Sequence, residues 1–359
     1  MIDFISRDQP GFQNPAYLDI KEVFMQCAYC EWRCELGDGS PGVCRMYIEE
    51  KGAIRERFPN LWSSCIPSRV ESVPFYHAWP GSRCLVIGTA GCNFRCRYCS
   101  NSFVAKQDPA MVREGMIELT PKELIRRAKQ LGCHSIVFNV NEPTVSLPSL
   151  LGVAAEAREA GMPMGCLTNA YTTEESTEML GSIFSFFNIG LKGLSDTFNR
   201  DYIGIPSAGP VLRNIRTLAK LGHVEVTTPV IESANDNELE DIARFLADVD
   251  PLIPWHVFRL LPEDEMKEAR YPDIDAIAGA LETIRGYLPH VYFHNFVGSD
   301  WVNTVCPGCG ATVIERFSLG CGGDRLISCH GRGNRCPSCG GEIRLLGEKV
   351  AWNAGEGRS

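Results

Sequence analysis

The sequence has no long hydrophobic run and no excess of positive charge. No apolar stretch in its 359 residues approaches the roughly 20 that span a bilayer. Residues 1–8 also lack the basic and then apolar order of a secretory signal. We therefore expect no membrane association and a cytoplasmic protein. The formal net charge of -9 disfavours a surface built to follow nucleic-acid phosphates, although a local basic site stays open.

What the chain has in quantity is cysteine. It carries 17, an odd number that cannot pair completely. Because a reducing compartment disfavours structural disulfides, so many thiols indicate metal sites. Most of them fall into three groups, at positions 27–44, 92–99 and 306–339. The working interpretation is three metal-binding regions.

Between the first and last groups, short runs rich in β-branched residues alternate with longer amphipathic stretches. This alternation is typical of strand-helix units in a parallel sheet. We predict six strands, at about 84–89, 135–140, 164–168, 186–191, 224–230 and 255–260. With right-handed crossovers, six such units predict an α/β fold that curls into a partial (βα)6 barrel of the TIM type.

The predicted helices have recognisable starts. Thr120, Pro121 and Glu123 supply an N-cap, a first-turn proline and a capping-box carboxylate. Further helices are predicted at about 150–160, 173–180, 210–221, 237–247 and 273–287. In barrels of this kind the chemistry sits at the carboxyl ends of the strands, so the residues that follow each strand are the functional candidates.

The first predicted strand is followed at once by three thiols, Cys92, Cys96 and Cys99, in a Cys-x3-Cys-x2-Cys loop. Three local thiolates bind three irons of a 4Fe-4S cluster and leave the fourth iron open to another ligand. Structural zinc is the alternative, but zinc usually takes four ligands and no fourth lies nearby in the sequence.

This spacing, with the aromatic Tyr98 before the last cysteine, resembles the signature of the radical S-adenosylmethionine (SAM) superfamily. The resemblance implies that SAM chelates the open iron, and that reductive cleavage of SAM gives methionine and a 5'-deoxyadenosyl radical that abstracts hydrogen. It also implies an electron donor such as flavodoxin or ferredoxin.

The same resemblance suggests further SAM-site residues at the ends of later strands. The second strand ends in Asn141-Glu142-Pro143-Thr144, similar to the motif that holds the SAM amino group, and Glu142 is the leading candidate. The third ends in Thr168-Asn169 and the sixth carries His256, whose counterpart contacts SAM in pyruvate formate-lyase activating enzymes. The predicted cofactor-binding residues are thus Tyr98, Asn141, Glu142, Thr168, Asn169 and His256.

Lys192 and Arg259 are the candidate catalytic residues. Lys192 follows the fourth strand, where it could approach a SAM carboxylate or an anionic substrate, and Arg259 lies on the sixth. The activating enzymes have an aspartate where Leu167 and Gly190 stand here, so we do not expect the cation site that those aspartates form.

The flanking cysteines predict two further sites. Upstream, Cys27, Cys30, Cys34 and Cys44 can close around one metal, either as tetrahedral zinc or as a second, electron-relaying 4Fe-4S cluster. Downstream, Cys306, Cys309, Cys336 and Cys339 lie in two Cys-Pro-x-Cys-Gly knuckles typical of a zinc ribbon or a rubredoxin. Structural zinc is the favoured occupant there and redox iron the alternative. No role is assigned to Cys321, Cys329 or His330.

The ordered set of motifs resembles the AmmeMemoRadiSam-system radical SAM proteins, relatives of the activating enzymes, over about residues 27–345. Ser100, Ala170 and Leu261 depart from that pattern, where Gln, Gly and His are usual. We expect three regions: an N-terminal four-cysteine extension (1–80), a radical SAM partial barrel (81–300) and a zinc-ribbon-like tail (301–359).

Three functions remain open on the sequence. The first is an activating enzyme that removes a glycyl hydrogen from a partner protein. The second is radical modification of a small molecule or RNA, in which the tail helps to bind the substrate. The third is a non-catalytic iron-sulfur electron carrier or zinc-ribbon adaptor. Neither the substrate nor the oligomeric state follows from the sequence.

Overall fold

The structure, a computed structural model, describes residues 24–37 and 39–350. The possible secretory signal at residues 1–8 lies outside the described residues. So do the start of the predicted region 1–80 and the end of the predicted region 301–359. Among the described residues, no helix combines the length and the apolar character needed to cross a membrane.

The architecture is mixed α/β. The strands are β1 (Met25–Gln26), β2 (Glu35–Leu36), β3 (Tyr47–Glu50), β4 (Ala53–Glu56), β5 (Leu61–Trp62), β6 (Ser64–Arg69), β7 (Arg83–Gly88), β8 (Ile117–Glu118), β9 (Ser135–Phe138), β10 (Met164–Thr168), β11 (Phe186–Gly190), β12 (His223–Val230), β13 (Trp255–Arg259), β14 (Val291–His294), β15 (Thr304–Val305), β16 (Thr312–Ser318) and β17 (Asp324–Cys329). The helices are α1 (Ser102–Ala105), α2 (Pro109–Val112), α3 (Pro121–Gln130), α4 (Leu147–Glu159), α5 (Glu174–Ile183), α6 (Asp196–Phe198), α7 (Gly209–Leu221), α8 (Leu239–Val249) and α9 (Ile274–Ile284).

Eight strands form the main sheet, in the order β14-β13-β12-β11-β10-β9-β7-β6. The seven from β7 to β14 are parallel, and β6 pairs antiparallel with β7 at one edge. All six predicted strands are confirmed within a few residues, and so are the six predicted helices. The sequence analysis missed β6 and β14. The strand order is open, so the curling of the sheet into a partial barrel stays a prediction.

Both faces of the sheet are covered. Alternate residues of β7 show why: Leu85 and Ile87 join the core shared with the helices, whereas Cys84 and Val86 pack on the opposite face against Val70–Phe75. A strand that is buried on both faces reads as a nearly continuous apolar run, which is why the sequence signal for these strands is strong.

The face of the sheet that packs against Val70–Phe75 is called the inner face. Its side chains are apolar near β7 and β9. On β12 to β14 the same face carries Glu225, His256, Tyr292 and His294, all buried. The segment around Tyr76 and the tail strand β17 cover these polar side chains. Burial of so many polar groups is tolerated because they bond to one another.

The tail forms its own three-stranded antiparallel sheet, β15-β16-β17. Arg316 of β16 fixes it to the main sheet, since its guanidinium donates to the carbonyl oxygens of Tyr76 and Val302 and to the Thr304 hydroxyl.

Glu56 is a buried carboxyl outside the site described below. One oxygen accepts from the Ser149 amide at 3.0 Å and the Ser149 hydroxyl at 2.8 Å, while Oε1 has no hydrogen-bond partner within the described part of the chain. Burial raises the pKa of Glu56 to about 7. The folded protein therefore binds this proton more tightly than the unfolded chain does, and stability should fall as pH rises from about 4.5 to about 7.

We predict that Glu56→Gln removes this part of the pH dependence and stabilises the protein above pH 7, by up to roughly 3 kcal/mol. Urea denaturation between pH 5 and 8 measures it. Glu118→Gln, at an exposed carboxylate on β8, is the matched control and should leave the pH dependence unchanged. An unchanged slope in Glu56→Gln would show that Glu56 is already charged in the folded protein.

Candidate active site

The cysteine loop begins directly after β7, at the carboxyl edge of the sheet. Gly91 turns the chain with a φ of +77°, and a Cβ added there would lie 2.4 Å from the Cys44 carbonyl oxygen. Only glycine fits both the left-handed backbone and this close approach. The cysteine loop therefore packs closely against the N-terminal segment that carries Cys44.

The side chain of Asn141 fixes the start of this loop. Its amide nitrogen donates to Thr89 Oγ1 at 3.0 Å, Ala90 O at 3.1 Å and Gly91 O at 2.9 Å, and its oxygen accepts from the Thr89 amide at 3.0 Å. Since these bonds engage both ends of the amide, the structure gives Asn141 the geometry of a positioning residue for the cysteine loop.

Strain accumulates at the end of β9. Val140 has a φ of +85°, a region that a β-branched residue rarely adopts and that costs on the order of 1–3 kcal/mol. Such strain persists only where the surroundings enforce it. The two neighbours of Val140 in the chain, Asn139 and Asn141, both line the pocket that also contains the cysteine loop.

Cys92, Cys96 and Cys99 all open onto one pocket of about 190 Å³. Burial raises the pKa of each thiol, and that of Cys96 reaches about 11 although the charge of Lys192 opposes the shift. Thiolates are the ligand form of cysteine, so a compensating positive group is needed to hold three of them here.

A larger cavity of about 590 Å³ adjoins this pocket and shares part of its wall. The shared residues are Cys96, Cys99, Asn139, Leu167, Lys192 and Thr227. The volume is within the range of small-molecule sites. The cysteine loop therefore faces a space that can hold a cofactor and a substrate group together.

Glu142 lies on the pocket wall and is almost completely buried. Its carboxylate accepts from the Thr144 hydroxyl at 2.5 Å, the Thr168 hydroxyl at 2.9 Å and the Asn169 amide at 2.7 Å. Burial raises the pKa of Glu142, and these hydrogen bonds oppose that rise. Three predicted residues, Glu142, Thr168 and Asn169, are thus brought into one network.

Asn169 also reaches the cysteine loop. Its amide donates to Asn93 Oδ1 at 2.7 Å and lies 3.9 Å from Cys92 Sγ. The turn continues through Ala170, which has a φ of +52°. This left-handed backbone favours glycine, so an alanine at position 170 carries some strain.

Lys192 lines both the pocket and the cavity. Its Nζ lies 2.7 Å from the place that a Cβ on Gly190 would occupy. The absence of a side chain at position 190 thus leaves room for the ammonium group. No aspartate stands at position 167 or 190, and a lysine side chain lies over one of these positions.

Arg259 lies on the wall of the larger cavity, at the end of β13. Its Nε donates to the Pro272 carbonyl at 2.7 Å, and its guanidinium lies over the Tyr271 ring at 4.9 Å. Both contacts hold the side chain at the rim.

His256 lies deeper than the sequence analysis expected. It is fully buried, one ring nitrogen lies 2.6 Å from Glu225 and the other 2.9 Å from His294. The segment around Tyr76 and the tail cover the inner face at this level, so His294, one strand further, lines the cavity where His256 does not.

Tyr98 tests whether the site fits a bound group. Its hydroxyl is buried without a hydrogen-bond partner among the described residues, and the residue lines the larger cavity. An unpaired phenol beside three thiols on one loop fits a site completed by a cluster and its ligand.

The C-terminal quartet is the candidate metal site whose ligand atoms lie closest together among the described residues. The sulfurs of Cys306, Cys309, Cys336 and Cys339 all lie within 4.8 Å of one another. Two sulfur pairs are 3.6 Å apart, close to the roughly 3.8 Å expected for a tetrahedron at 2.3 Å from one zinc ion. The N-terminal set of Cys27, Cys30, Cys34 and Cys44 lines a separate small cavity.

The remaining thiols lie apart from these sites. Cys321 is exposed on the wall of the main cavity, and Cys329 packs inside the tail. His330 is 2.9 Å from the Ser328 hydroxyl.

The sequence analysis missed several residues of the cavity wall. His294 and Asp324 form a buried pair at 2.8 Å, and the loop Gly320–Asp324 brings part of the tail to the cavity. Asp324 is the first residue of β17, and the sequence around it carries no local signal for this role. His294 could have been found only by recognising β14 as a seventh parallel strand.

Comparisons with known proteins agree with this geometry. Residues 86–246 match the radical SAM superfamily. An uncharacterised protein of Methanocaldococcus jannaschii is 28% identical over 335 residues, 92% of this chain and 98% of the relative. A second protein of that organism, named as a glycyl-radical enzyme activating enzyme, is 27% identical over 62% of this chain and 92% of its own.

Among solved structures, Streptococcus suis SuiB bound to the precursor peptide SuiA aligns with 59% of this chain and 48% of its own. The identity is 15% and the TM-score 0.47, a likeness that carries no functional information. Radical SAM proteins are enzymes, so the third alternative, a non-catalytic carrier or adaptor, is not retained. The cysteine loop, the mixed α/β fold and the match over residues 86–246 together show that the chain contains a radical SAM domain, and that it is similar to proteins named as glycyl-radical enzyme activating enzymes.

Proposed function

We propose that this protein cleaves SAM reductively and uses the resulting radical to abstract a hydrogen atom, in the first instance from a glycyl residue of a partner protein. The observation that carries the proposal is that Cys92, Cys96 and Cys99 open onto one pocket with Glu142 and Lys192, at the carboxyl edge of the sheet. When bound, a 4Fe-4S cluster with SAM on its open iron supplies one-electron cleavage of SAM to methionine and a 5'-deoxyadenosyl radical.

The chain's own residues then bind and orient. Cys92, Cys96 and Cys99 would hold the cluster, and Asn141 fixes the backbone of residues 89–91 that leads into this loop. Glu142, already fixed by Thr168 and Asn169, accepts the SAM amino group. The charge of this carboxylate suits an ammonium group because no basic side chain among the described residues is bonded to it.

Lys192 is the candidate partner for the SAM carboxylate. Tyr98 lines the larger cavity with it, and its buried hydroxyl has no hydrogen-bond partner among the described residues. Arg259 is held at the rim of the larger cavity, where it meets the substrate. His256 is proposed to act indirectly: its hydrogen bond to His294 fixes the orientation of the His294 ring, which lines the larger cavity.

The relative named as a glycyl-radical enzyme activating enzyme supports a protein substrate and an external one-electron donor of the flavodoxin or ferredoxin class. The second candidate is radical modification of a small molecule or of RNA. The larger cavity supports it, because its volume of about 590 Å³ suits a small ligand and its wall includes the tail loop Gly320–Asp324. A cytoplasmic location is part of both proposals.

The three regions 1–80, 81–300 and 301–359 are proposed as functional units. The first carries the four-cysteine site, the second the SAM site, and the third a zinc ribbon that covers the inner face of the sheet through Arg316 and Asp324.

The first prediction concerns SAM cleavage. After anaerobic loading with iron and sulfide and reduction with dithionite, wild type should convert SAM to 5'-deoxyadenosine, and Cys96→Ala should not, because the cluster loses one of three ligands. Cys133→Ala, at a buried core thiol, is the matched control and should retain turnover. Absence of 5'-deoxyadenosine with fully loaded wild type would sink the proposed function.

A second prediction concerns Glu142. Glu142→Gln should weaken SAM binding about tenfold to a hundredfold, since a hydrogen bond to a charged group contributes ~1.5–3 kcal/mol, while the iron content stays unchanged. Titration of SAM against the electron paramagnetic resonance (EPR) signal of the reduced cluster measures the affinity. Glu159→Gln, at an exposed carboxylate on α4, serves as control; equal affinity in both variants would contradict the role of Glu142.

A third prediction concerns the tail. Protein purified without added iron should contain zinc bound at Cys306, Cys309, Cys336 and Cys339, and Cys306→Ala should lose that zinc and lower the melting temperature. SAM cleavage should persist in the folded fraction, because the quartet lies apart from the cysteine loop. Iron in place of zinc at this site would favour the rubredoxin-like alternative.

A further inference from the structure

The N-terminal cysteines surround a cavity of their own. Cys27, Cys30 and Cys44 are buried and Cys34 is partly exposed, and all four line one space. The centre of a water-sized sphere can move through about 10 Å³ of this space, so its walls stand further apart than those of a site for one water molecule. All four thiols are free. Most of the remaining lining is apolar or aromatic and includes Leu36, Val145 and the stacked rings of Tyr29 and Tyr47. Asn93 and Thr144 are its polar members.

The spacing of these sulfurs differs from that of the C-terminal quartet. Within the described ranges, the C-terminal quartet is the one group of three or more cysteine, histidine or acidic residues whose ligand atoms lie within 4.8 Å of one another. No three of the N-terminal sulfurs are therefore this close together. Four sulfurs bound to one zinc ion at 2.3 Å would be roughly 3.8 Å apart and leave no space between them. Around a 4Fe-4S cluster each sulfur binds a different iron, so the sulfurs stand further apart around a common space.

Backbone amides point at the sulfurs. The Val43 amide lies 3.4 Å from Cys34 Sγ, and the amides of Tyr29 and Trp32 donate to the thiols of Cys27 and Cys30. Amide donors stabilise negative charge on sulfur and tune the reduction potential of iron-sulfur clusters. The Met46 amide donates to the fourth thiol, Cys44. Three buried thiols and one partly exposed thiol thus share one space, each with an amide donor close by, and this matches the requirements of a cluster.

This cavity lies directly behind the cysteine loop. Asn93, next to Cys92, is part of its lining, and Trp32 Nε1 donates to the Asn93 carbonyl at 2.8 Å. A further small pocket of about 70 Å³ has both Cys44 and Cys92 in its wall. Cys44 also contacts Gly91 through its carbonyl oxygen, as described above. One thiol of each set thus borders the same small space.

We propose that Cys27, Cys30, Cys34 and Cys44 hold a second 4Fe-4S cluster, and that this cluster passes single electrons to the SAM-binding cluster. In each cycle the second cluster is oxidised by one electron and the first is reduced by one, and a low-potential one-electron donor protein then reduces the second again. The relay rests on the proposed SAM cleavage. The presence of the second cluster does not.

The first test counts clusters without using activity. The full chain is loaded anaerobically, and iron, sulfide and zinc are measured together with EPR spectra of the reduced protein with and without SAM. Wild type should show two cluster signals, of which SAM shifts one. Cys30→Ala should lose about half of the iron and keep the EPR signal that SAM shifts. Cys96→Ala should keep the other EPR signal, which does not change when SAM is added. Cys133→Ala should match wild type.

Wild type alone can overturn the proposal, whether or not the variants fold. Zinc bound in addition to that of the C-terminal quartet, with the iron of a single cluster, would show that the N-terminal site is a zinc site. A SAM-insensitive cluster signal in Cys96→Ala supports the second cluster even if SAM cleavage itself is never observed.

The second test addresses the relay. With reduced flavodoxin as donor, Cys30→Ala should form 5'-deoxyadenosine at least about tenfold more slowly than wild type, whereas dithionite, a small reductant, should restore the rate to within about twofold. Equal loss with both reductants, or no loss with flavodoxin, would overturn the relay. Product from wild type with dithionite in the same experiment keeps this outcome separate from a failure of the proposed function.

Discussion

The hydrogen bonds from Asn141 to the backbone of residues 89–91 are the contact on which the rest of the site depends. They tie the loop after β7 to the loop after β9, so that the first cysteine and Glu142, far apart in the chain, are fixed relative to each other. The strained backbone of Val140 places Asn141 for this task. Positioning of this kind belongs to the protein, while the iron-sulfur chemistry belongs to the cofactor.

The N-terminal cysteine segment is part of the same assembly rather than an appended module. It touches the cysteine loop at Gly91 and Asn93, and it reaches the loop after β10, where the Thr173 hydroxyl donates to the Ala28 carbonyl at 2.7 Å. Tyr47 adds a third contact, since its hydroxyl donates to the Thr144 carbonyl. The four-cysteine segment therefore packs directly against the loops that carry Cys92 and Glu142.

The tail has a comparable role on the inner face of the sheet. Arg316 and Asp324 meet the segment around Tyr76 and the side chains of β14, and this closes the polar layer that contains Glu225 and His256. The same closure brings the loop Gly320–Asp324 to the cavity. The tail, whose cysteines indicate only structural metal, thus contributes to the wall of the candidate active site. No local sequence pattern around Cys321 predicts this contribution.

The sequence by itself determined the six strand-helix units and the chemical identity of the cysteine loop, because periodicity and ligand spacing are local properties of the chain. The resemblance of its motifs to those of radical SAM proteins also singled out Glu142, Thr168 and Asn169, and their positions after parallel strands are consistent with one shared edge. The depth of His256, the lining role of His294 and the spread of the four N-terminal sulfurs were decided only by the tertiary structure. Each depends on segments distant in sequence that pack against the sheet, and burial and separation in space leave no periodic trace in the chain.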